Sequence, residues 1–355
     1  MTRVLFVSRS TLFTQAGGDT LQMEQTAKYL QKSGYRVTFY NGSPLEEEDY
    51  DILHFFNITR PADLLPFLNW KLPKVLSAIY IDYSEYDRLY RKGLAGRTAR
   101  IAGSSGAEYL KTLARGVLGK DRMPPLSYIT LGQKQSIQRV LEKCDLVITA
   151  SQHEYEALAS GFSFKCGHEI IPLGSEHLSA PAPYSGERSG VVCAARIEGL
   201  KNQLSLIRAL NDSGIHLKII GKPAANQMAY LEECQKEARS NVEFTGFMNQ
   251  NDLALEFSKA KVHVLPSYYE TTGLSTLEAL KMGCQVVITA RGGQKEIFGE
   301  HAFYCDPNDP GSIWEAINKA LESKFDHSKW VWENFSWVAA AGKISDIYRS
   351  LLQQS

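Results

Sequence analysis

The sequence predicts an α/β protein built from two doubly wound domains. Three observations carry this. Short apolar runs alternate with helix-patterned segments along the chain, which implies parallel sheets covered on both faces. The alternation stops at a stretch rich in Pro, Ser and Gly, 174–190, and then begins again. The length of 355 residues, at roughly 100–200 residues per domain, suits two domains.

In the first half, "RVLFVSR" reads as a strand and "GGDTLQMEQTAKYLQKSG" as a helix that Gly34 ends. "YRVTFYN", "YDILHFFN", "KVLSAIYID" and "CDLVITAS" are further strands. Between the last two, residues 85–138 form a long helical-looking insertion. From Arg88 to Arg122 it carries nine Lys or Arg against only Glu108 and Asp121. In the second half, "GVVCAAR", "IHLKIIG", "NVEFTG", "KVHVLPS" and "QVVITA" are strands. "KNQLSLIRALNDSG", "MAYLEECQKEARS", "DLALEFSKA", "TGLSTLEALKMG" and "PGSIWEAINKALES" are helices, and "WVAAAGKISDIYRSLLQQ" closes the chain as a last helix. The expected domains are 1–173, a linker 174–190, 191–335, and a terminal helix 336–355 that crosses back to the first domain.

Composition bounds the function classes. The formal net charge is zero, so global charge offers no argument for nucleic acid or a membrane. No apolar run reaches the about 20 residues of a membrane span. "MTRVLFVSRS" lacks the h-region and cleavage site of a signal peptide and reads as a strand. The six cysteines form no C-x-x-C pair, which suits reduced thiols and a cytoplasmic location. No dinucleotide G-x-G-x-x-G, P-loop, H-E-x-x-H, Cys/His metal spacing or G-x-S-x-G occurs in a fitting context. No metal and no cofactor are expected.

Four short constellations remain, each with a plain alternative. Glu270 and Glu278 stand eight positions apart in "PSYYETTGLSTLEALKMG". Gly273 permits close approach of a ligand to the backbone, and the helix after it offers free N–H groups to an anion. Equally, Ser275-x-x-Glu278 matches a capping box and Glu270 a solvated loop charge. Arg196 and Lys201 lie on the first strand–helix connection of the same half, where Arg grips phosphate bidentately and Lys adds a point charge. They also read as ordinary surface cations. Gly17-Gly18 precedes the first helix as a ligand-approach loop or a plain turn, and Glu296 in "GGQKEIF" reads as a favourable N-terminal acid. His54 falls near a strand end and is a candidate for the ligand side, or a structural histidine.

Taken together, these motifs resemble the retaining GT-B glycosyltransferases of family 4. The E-x7-E pattern matches Glu270 and Glu278, and the strand–R-x4-K pattern matches Arg196 and Lys201 in "AARIEGLKN". "LKIIGKP", "NVEFTGFMNQNDL" and "GGQKEIF" match further blocks. Coverage is strong from Val191 to Asp309 and looser in the first half. Two departures stand out: Ile81-Asp82 where many members have His-Asp, and Thr272 where phenylalanine is common.

The resemblance implies two Rossmann-like domains whose parallel sheets face an interdomain cleft. It implies that Arg196, Lys201 and the N–H groups of Gly273, Leu274 and Ser275 hold a donor diphosphate. Glu278 would take the ribose and Glu270 the hexose. Gly17 and Gly18 would close on the donor, and backbone near Phe247 and Met248 would meet the nucleobase. His54 and Asp82 are candidates for the acceptor side. The implied activity is transfer of a hexose from a nucleotide sugar to a glycan or lipid-linked hydroxyl acceptor, in surface glycan synthesis. The rival is a non-catalytic nucleotide-sugar-binding subunit. The basic segment from Arg88 to Arg122 reads either as a solvated helical face or as a peripheral contact with anionic membrane.

Overall fold

The structure is a computed structural model that describes residues 1–82, 86, 90, 93–175 and 186–354. The chain divides into two compact units, Met1–Gly174 with Trp337–Ser355, and Ser175–Ser336.

The first unit runs β1 (Arg3–Val7), α1 (Gly18–Lys32), β2 (Arg36–Phe39), β3 (Ile52–Phe56), β4 (Lys74–Ser77), α2 (Gly93–Val117), α3 (Leu126–Lys143), β5 (Leu146–Thr149), α4 (Gln152–Gly161) and β6 (Gly167–Ile170). Its sheet is wholly parallel with order β2-β1-β3-β4-β5-β6. Val4, Leu5, Phe6 and Val7, with Ile52, Leu53, Phe55 and Phe56, are shut from solvent. Uniformly apolar strands of this kind fit a sheet covered on both faces.

The second unit runs β7 (Ser189–Ala194), α5 (Gln203–Leu210), β8 (Leu217–Ile220), α6 (Met228–Glu237), β9 (Val242–Gly246), α7 (Gln250–Lys259), β10 (Ala260–Leu265), α8 (Leu274–Lys281), β11 (Gln285–Thr289), α9 (Gln294–Phe298), β12 (Phe303–Cys305), α10 (Pro310–Glu322) and α11 (Ser328–Asn334). This sheet is also parallel, in the order β12-β11-β10-β7-β8-β9. Side-chain caps start two of its helices: Asn249 accepts from the Asp252 N–H at 3.0 Å, and Asp309 from the Gly311 N–H at 2.8 Å.

The chain then ends in α12 (Trp337–Gln354), which belongs to the first unit. Tyr348 on α12 is fully buried, and its hydroxyl meets His54 Nδ1 at 2.5 Å. Ser345 Oγ meets the Tyr35 hydroxyl at 2.7 Å. These polar contacts fix the helix on the sheet beyond what its apolar face supplies.

Strand order places the functional loops. In each sheet the chain leaves a central strand in one direction and later returns to build the other side. Ligands in open α/β sheets bind at the C-terminal ends of the strands flanking that reversal. In the first sheet the reversal falls between β1 and β3, and in the second between β7 and β10. Gly17 and Gly18 follow β1. Arg196 and Lys201 follow β7, and Glu270 follows β10.

Several expectations need revision. Strands β6 and β12 are not foreseen from the sequence, because both are short edge strands. From Gly93 on, the 85–138 insertion contains two helices, each kinked at a glycine of positive φ, Gly103 (69°) and Gly132 (72°). Within the basic segment, Arg88, Arg91 and Lys92 lie outside the described residues, as does 176–185 of the linker. Among the rest, Lys111 pairs with Glu108 at 2.7 Å and Arg115 approaches Glu108 and Asp121 at 3.8 and 3.9 Å. Lys111 and Arg115 are thus compensated by acids of the same unit. All six cysteines are free.

Candidate functional site

The second unit brings Lys201 and Glu270 into direct contact across 69 residues of sequence. The loop after β7 is shaped by buried amides. Gln203 donates to the Arg196 carbonyl at 2.9 Å and accepts from the Glu198 N–H at 3.4 Å. A 3-10 turn, Gly199–Lys201, then ends at Asn202 in the left-handed region (φ 58°). Asn is among the few side chains that tolerate this conformation. Its amide donates to the carbonyls of Pro266 at 3.2 Å and Pro307 at 2.7 Å. The Tyr268 N–H donates to the Leu200 carbonyl at 2.9 Å. The loops after β7, β10 and β12 are therefore stitched together, and the Lys201 ammonium is delivered to the Glu270 carboxylate.

The loop after β10 leads to α8. Gly273 caps it in the left-handed region (φ 69°) and its carbonyl accepts from Thr276 and Leu277 at 2.9 and 3.0 Å. The N–H groups of Leu274 and Ser275 lack a preceding helical turn to donate into. The helix begins at Leu274, so Glu278 is its fifth residue and is buried. A capping box requires the acid at the third position. That alternative for Glu278 is excluded.

Behind this loop, the Glu270 carbonyl accepts from the Gly293 N–H at 3.1 Å. Gly292 has φ 68°, and a Cβ there would stand 2.0 Å from that carbonyl oxygen. Gln294 is buried, donates to the Thr271 carbonyl at 3.1 Å, and lies so near Gly273 that a Cβ on Gly273 would sit 2.8 Å from its Oε1. The "GGQKEIF" motif therefore backs the loop that carries Glu270 and Gly273.

Lys201 and Glu270 are each 14% exposed at the side chain, whereas Arg196 is 53% exposed and pairs with Glu198 at 3.1 Å. Lys201 is the sheltered cation and Arg196 the exposed one. At the exit of β9, Phe247 is exposed, with the Lys222 ammonium 5.0 Å from its ring centroid. Met248 packs half-buried against the core.

In the first unit, Gly17 caps α1 in extended conformation, and its N–H donates to Thr20 Oγ1 at 3.1 Å. Asp19 beside it accepts from Arg9 at 2.6 and 2.9 Å and from Asn57 at 3.0 Å. Burial works to raise the Asp19 carboxyl, but Arg9 and Asn57 outweigh it and hold it below its ordinary range. The glycine loop is thus braced at the reversal point of the first sheet.

His54 is not placed as a ligand contact. It occupies the middle of β3, wholly buried, with Nδ1 against Tyr348 and Nε2 2.9 Å from Ser77 Oγ. Burial lowers its pKa to about 3. It is a core histidine, because its place in mid-strand leaves it inside the sheet. Asp82 is exposed beyond β4.

The braces Asn202, Gln203 and Gln294 are not foreseen from the sequence. The one signal available is an Asn between two short helical stretches, a residue type suited to positive φ. Among the described residues, no cluster of three His, Cys, Asp or Glu has metal-holding geometry, and no helix is long and apolar enough to cross a membrane.

Two parallel α/β units, the second with paired charges at its reversal point and a glycine-capped helix, are the GT-B architecture. Residues 180–334 match the family described as "Glycosyl transferases group 1". Serotype-specific mannosyltransferase WbdA of Escherichia coli is 26% identical over 242 residues, 60% of this chain and 30% of WbdA. The chain matches only about a third of the length of the curated relatives it resembles. Sucrose-phosphate synthase from Thermosynechococcus elongatus superposes with a TM-score of 0.75 at 18% identity, over 100% of both chains. Anabaena HepE in complex with UDP and glucose gives 0.72 at 16% identity, over 99% of this chain and 100% of HepE.

Proposed function

We propose that the protein is a retaining glycosyltransferase that moves a hexose from a nucleoside-diphosphate sugar to a hydroxyl acceptor in surface glycan synthesis. The observation that carries this reading is the Lys201–Glu270 contact beside the head of α8. Two charges brought together from different loops, next to a helix N-terminus, suit a ligand that has a diphosphate joined to a polyhydroxy ring. Relatives named as a mannosyltransferase and a neighbour solved with UDP and glucose support it.

In this reading, Lys201 and the N–H groups of Gly273, Leu274 and Ser275 take the diphosphate, and Arg196 swings from Glu198 to join them. Cations and dipoles fixed where the leaving diphosphate gathers charge lower the barrier without reorganisation. Glu270 accepts from hexose hydroxyls, and Glu278 from the ribose; a carboxylate suits adjacent hydroxyls because it offers two acceptor oxygens. Backbone at Phe247 and Met248 meets the base. With the donor held, Lys201 shifts its contact from Glu270 toward phosphate and frees a carboxylate oxygen for the sugar. The acceptor attacks from the leaving-group face, and the departing phosphate takes its proton. This route calls on no metal, so chelation with EDTA leaves the rate unchanged.

Calorimetry against UDP-, GDP- and dTDP-sugars, followed by transfer assays with the donor that binds, tests the reading. Lys201→Ala is expected to reduce turnover by about 10²-fold or more, as for lost charge stabilisation in the transition state. Full activity in both Lys201→Ala and Arg196→Ala overturns the diphosphate assignment. Donor binding without transfer to any acceptor in a broad screen points to a binding subunit instead. The anomeric configuration of the product, read by NMR, decides retention.

A further inference from the structure

The turn between α2 and α3 combines three features. Val117, Leu118, Met123 and Leu126 are 76%, 66%, 59% and 79% exposed. No stretch of similar length elsewhere in the described residues exposes more than two large apolar side chains. Lys120 and Arg122 stand exposed among them, and the Arg122 guanidinium lies over the Tyr40 ring, 4.8 Å from its centroid. Asp121, the acid between these cations, is turned inward: its side chain is 6% exposed and pairs with Arg60, and Ser10 donates to it. The protein withdraws the negative charge from the tip and leaves the positive charges and the apolar side chains outside.

Clustered exposed apolar groups mark interaction surfaces. Cations around them select an apolar surface edged with anions, because long basic side chains reach charged groups at an interface while their stems and neighbours enter the apolar layer. We propose that this turn, residues 117–126, is a docking tip for the surface of an anionic lipid bilayer. The contact is placed at the tip and not at Lys111 and Arg115, which are occupied with acids of the protein itself. The proposal is independent of the donor chemistry.

The test is co-sedimentation of the full chain with vesicles of phosphatidylcholine, with and without phosphatidylglycerol. Wild-type protein is expected to pellet with the phosphatidylglycerol vesicles and to be released as salt rises. Lys120→Glu with Arg122→Glu should lower partitioning by on the order of tenfold or more, from the roughly 1 kcal/mol that each basic residue contributes at an anionic surface. Leu118→Ser with Met123→Ser and Leu126→Ser should lower it comparably. Val338→Ser, exposed on α12, should leave it unchanged. Thermal melting at the wild-type temperature confirms that the variants fold. Equal pelleting of tip variants and wild type overturns the proposal, as does absence of wild-type binding at every phosphatidylglycerol content. A wild-type dimer that the serine variant converts to monomer, without vesicle binding, also overturns it and assigns the tip to a second copy of the chain.

Discussion

Gly292 does not touch the proposed donor, yet the position of Glu270 depends on it. Its φ of 68° suits glycine, and a Cβ at this position would come within 2.0 Å of the Glu270 carbonyl oxygen, which leaves no room for one. Gly292→Ala must push the Glu270 loop away from α9. It should cost more than about 1 kcal/mol of stability and weaken donor binding together with it. Unchanged affinity in a folded Gly292→Ala protein would show that the loop is not held from behind. Buried titratable groups act at the same scale, with opposite signs. His54 and His263 are buried with pKa values lowered to about 3, so the unfolded chain takes up their protons first on acidification. Their contribution is intact above the ordinary pKa of 6.5 and is lost as pH falls from there toward 3. Glu154 behaves in reverse. Burial pushes its carboxyl up to about 7, against N–H groups of Tyr80 and Ala150 that donate at 2.8 and 2.7 Å. Its contribution is present below the ordinary 4.5 and lost as pH rises through 7. Urea melts of wild type and Glu154→Gln between about pH 4.5 and 7.5 should therefore diverge, with the variant lacking one downward component of slope. Parallel pH profiles count against a raised Glu154.

At the scale of elements, three loops and one helix make the candidate site, and Asn202 ties the loops together. It is buried, left-handed and bonded to carbonyls on two other loops. Asn202→Ala removes both donors and forces alanine into positive φ, so about 1–3 kcal/mol of stability should be lost. Turnover should fall even where the protein is fully folded, because Lys201 is the adjacent residue. Wild-type turnover in a folded Asn202→Ala protein argues that the 3-10 turn alone positions Lys201. This dependence also explains what can be read in the sequence. β7, β10 and β11 are legible because parallel central strands are continuous apolar runs, as in "VVCA" and "QVVIT". Glu270 and Lys201 are legible because their spacing to those strands is short. β6 is not, since "GHEI" alternates partly exposed and exposed residues at an edge. Asn202, Gln203 and Gln294 are not, because a buried amide that bonds to backbone carbonyls has no period and no fixed spacing. The capping-box reading of Glu278 fails for a related reason. Gly273 in the left-handed region starts the helix one residue before Ser275, and sequence pattern does not show φ.

At the scale of the whole molecule, the last helix couples the end of the chain to its beginning. α12 belongs to the unit that contains β1 through β6, although its sequence follows the second unit. The attachment is specific. Tyr348 supplies the only side-chain oxygen that His54 Nδ1 meets among the described residues, and Ser345 meets the Tyr35 hydroxyl. A Cβ at Gly174 would lie 2.2 Å from the Trp337 backbone nitrogen, so the chain packs tightly where the helix begins. Truncation after Ser336 strips the apolar face of α12 from the first unit and leaves a buried imidazole nitrogen without a partner, a group that costs about 1–3 kcal/mol when unsatisfied. The second unit, Ser175–Ser336, keeps its whole sheet and every loop of the candidate donor site. Scanning calorimetry of the truncated chain should therefore show the first unit melting at lower temperature, or already unfolded. The second unit should retain its transition and its stabilisation by the nucleotide that binds the full-length protein, since a ligand that binds the native state raises its apparent stability. Loss of nucleotide stabilisation in the truncated chain, with the second unit still folded, would mean that the donor site needs the first unit as well as the pair Lys201 and Glu270.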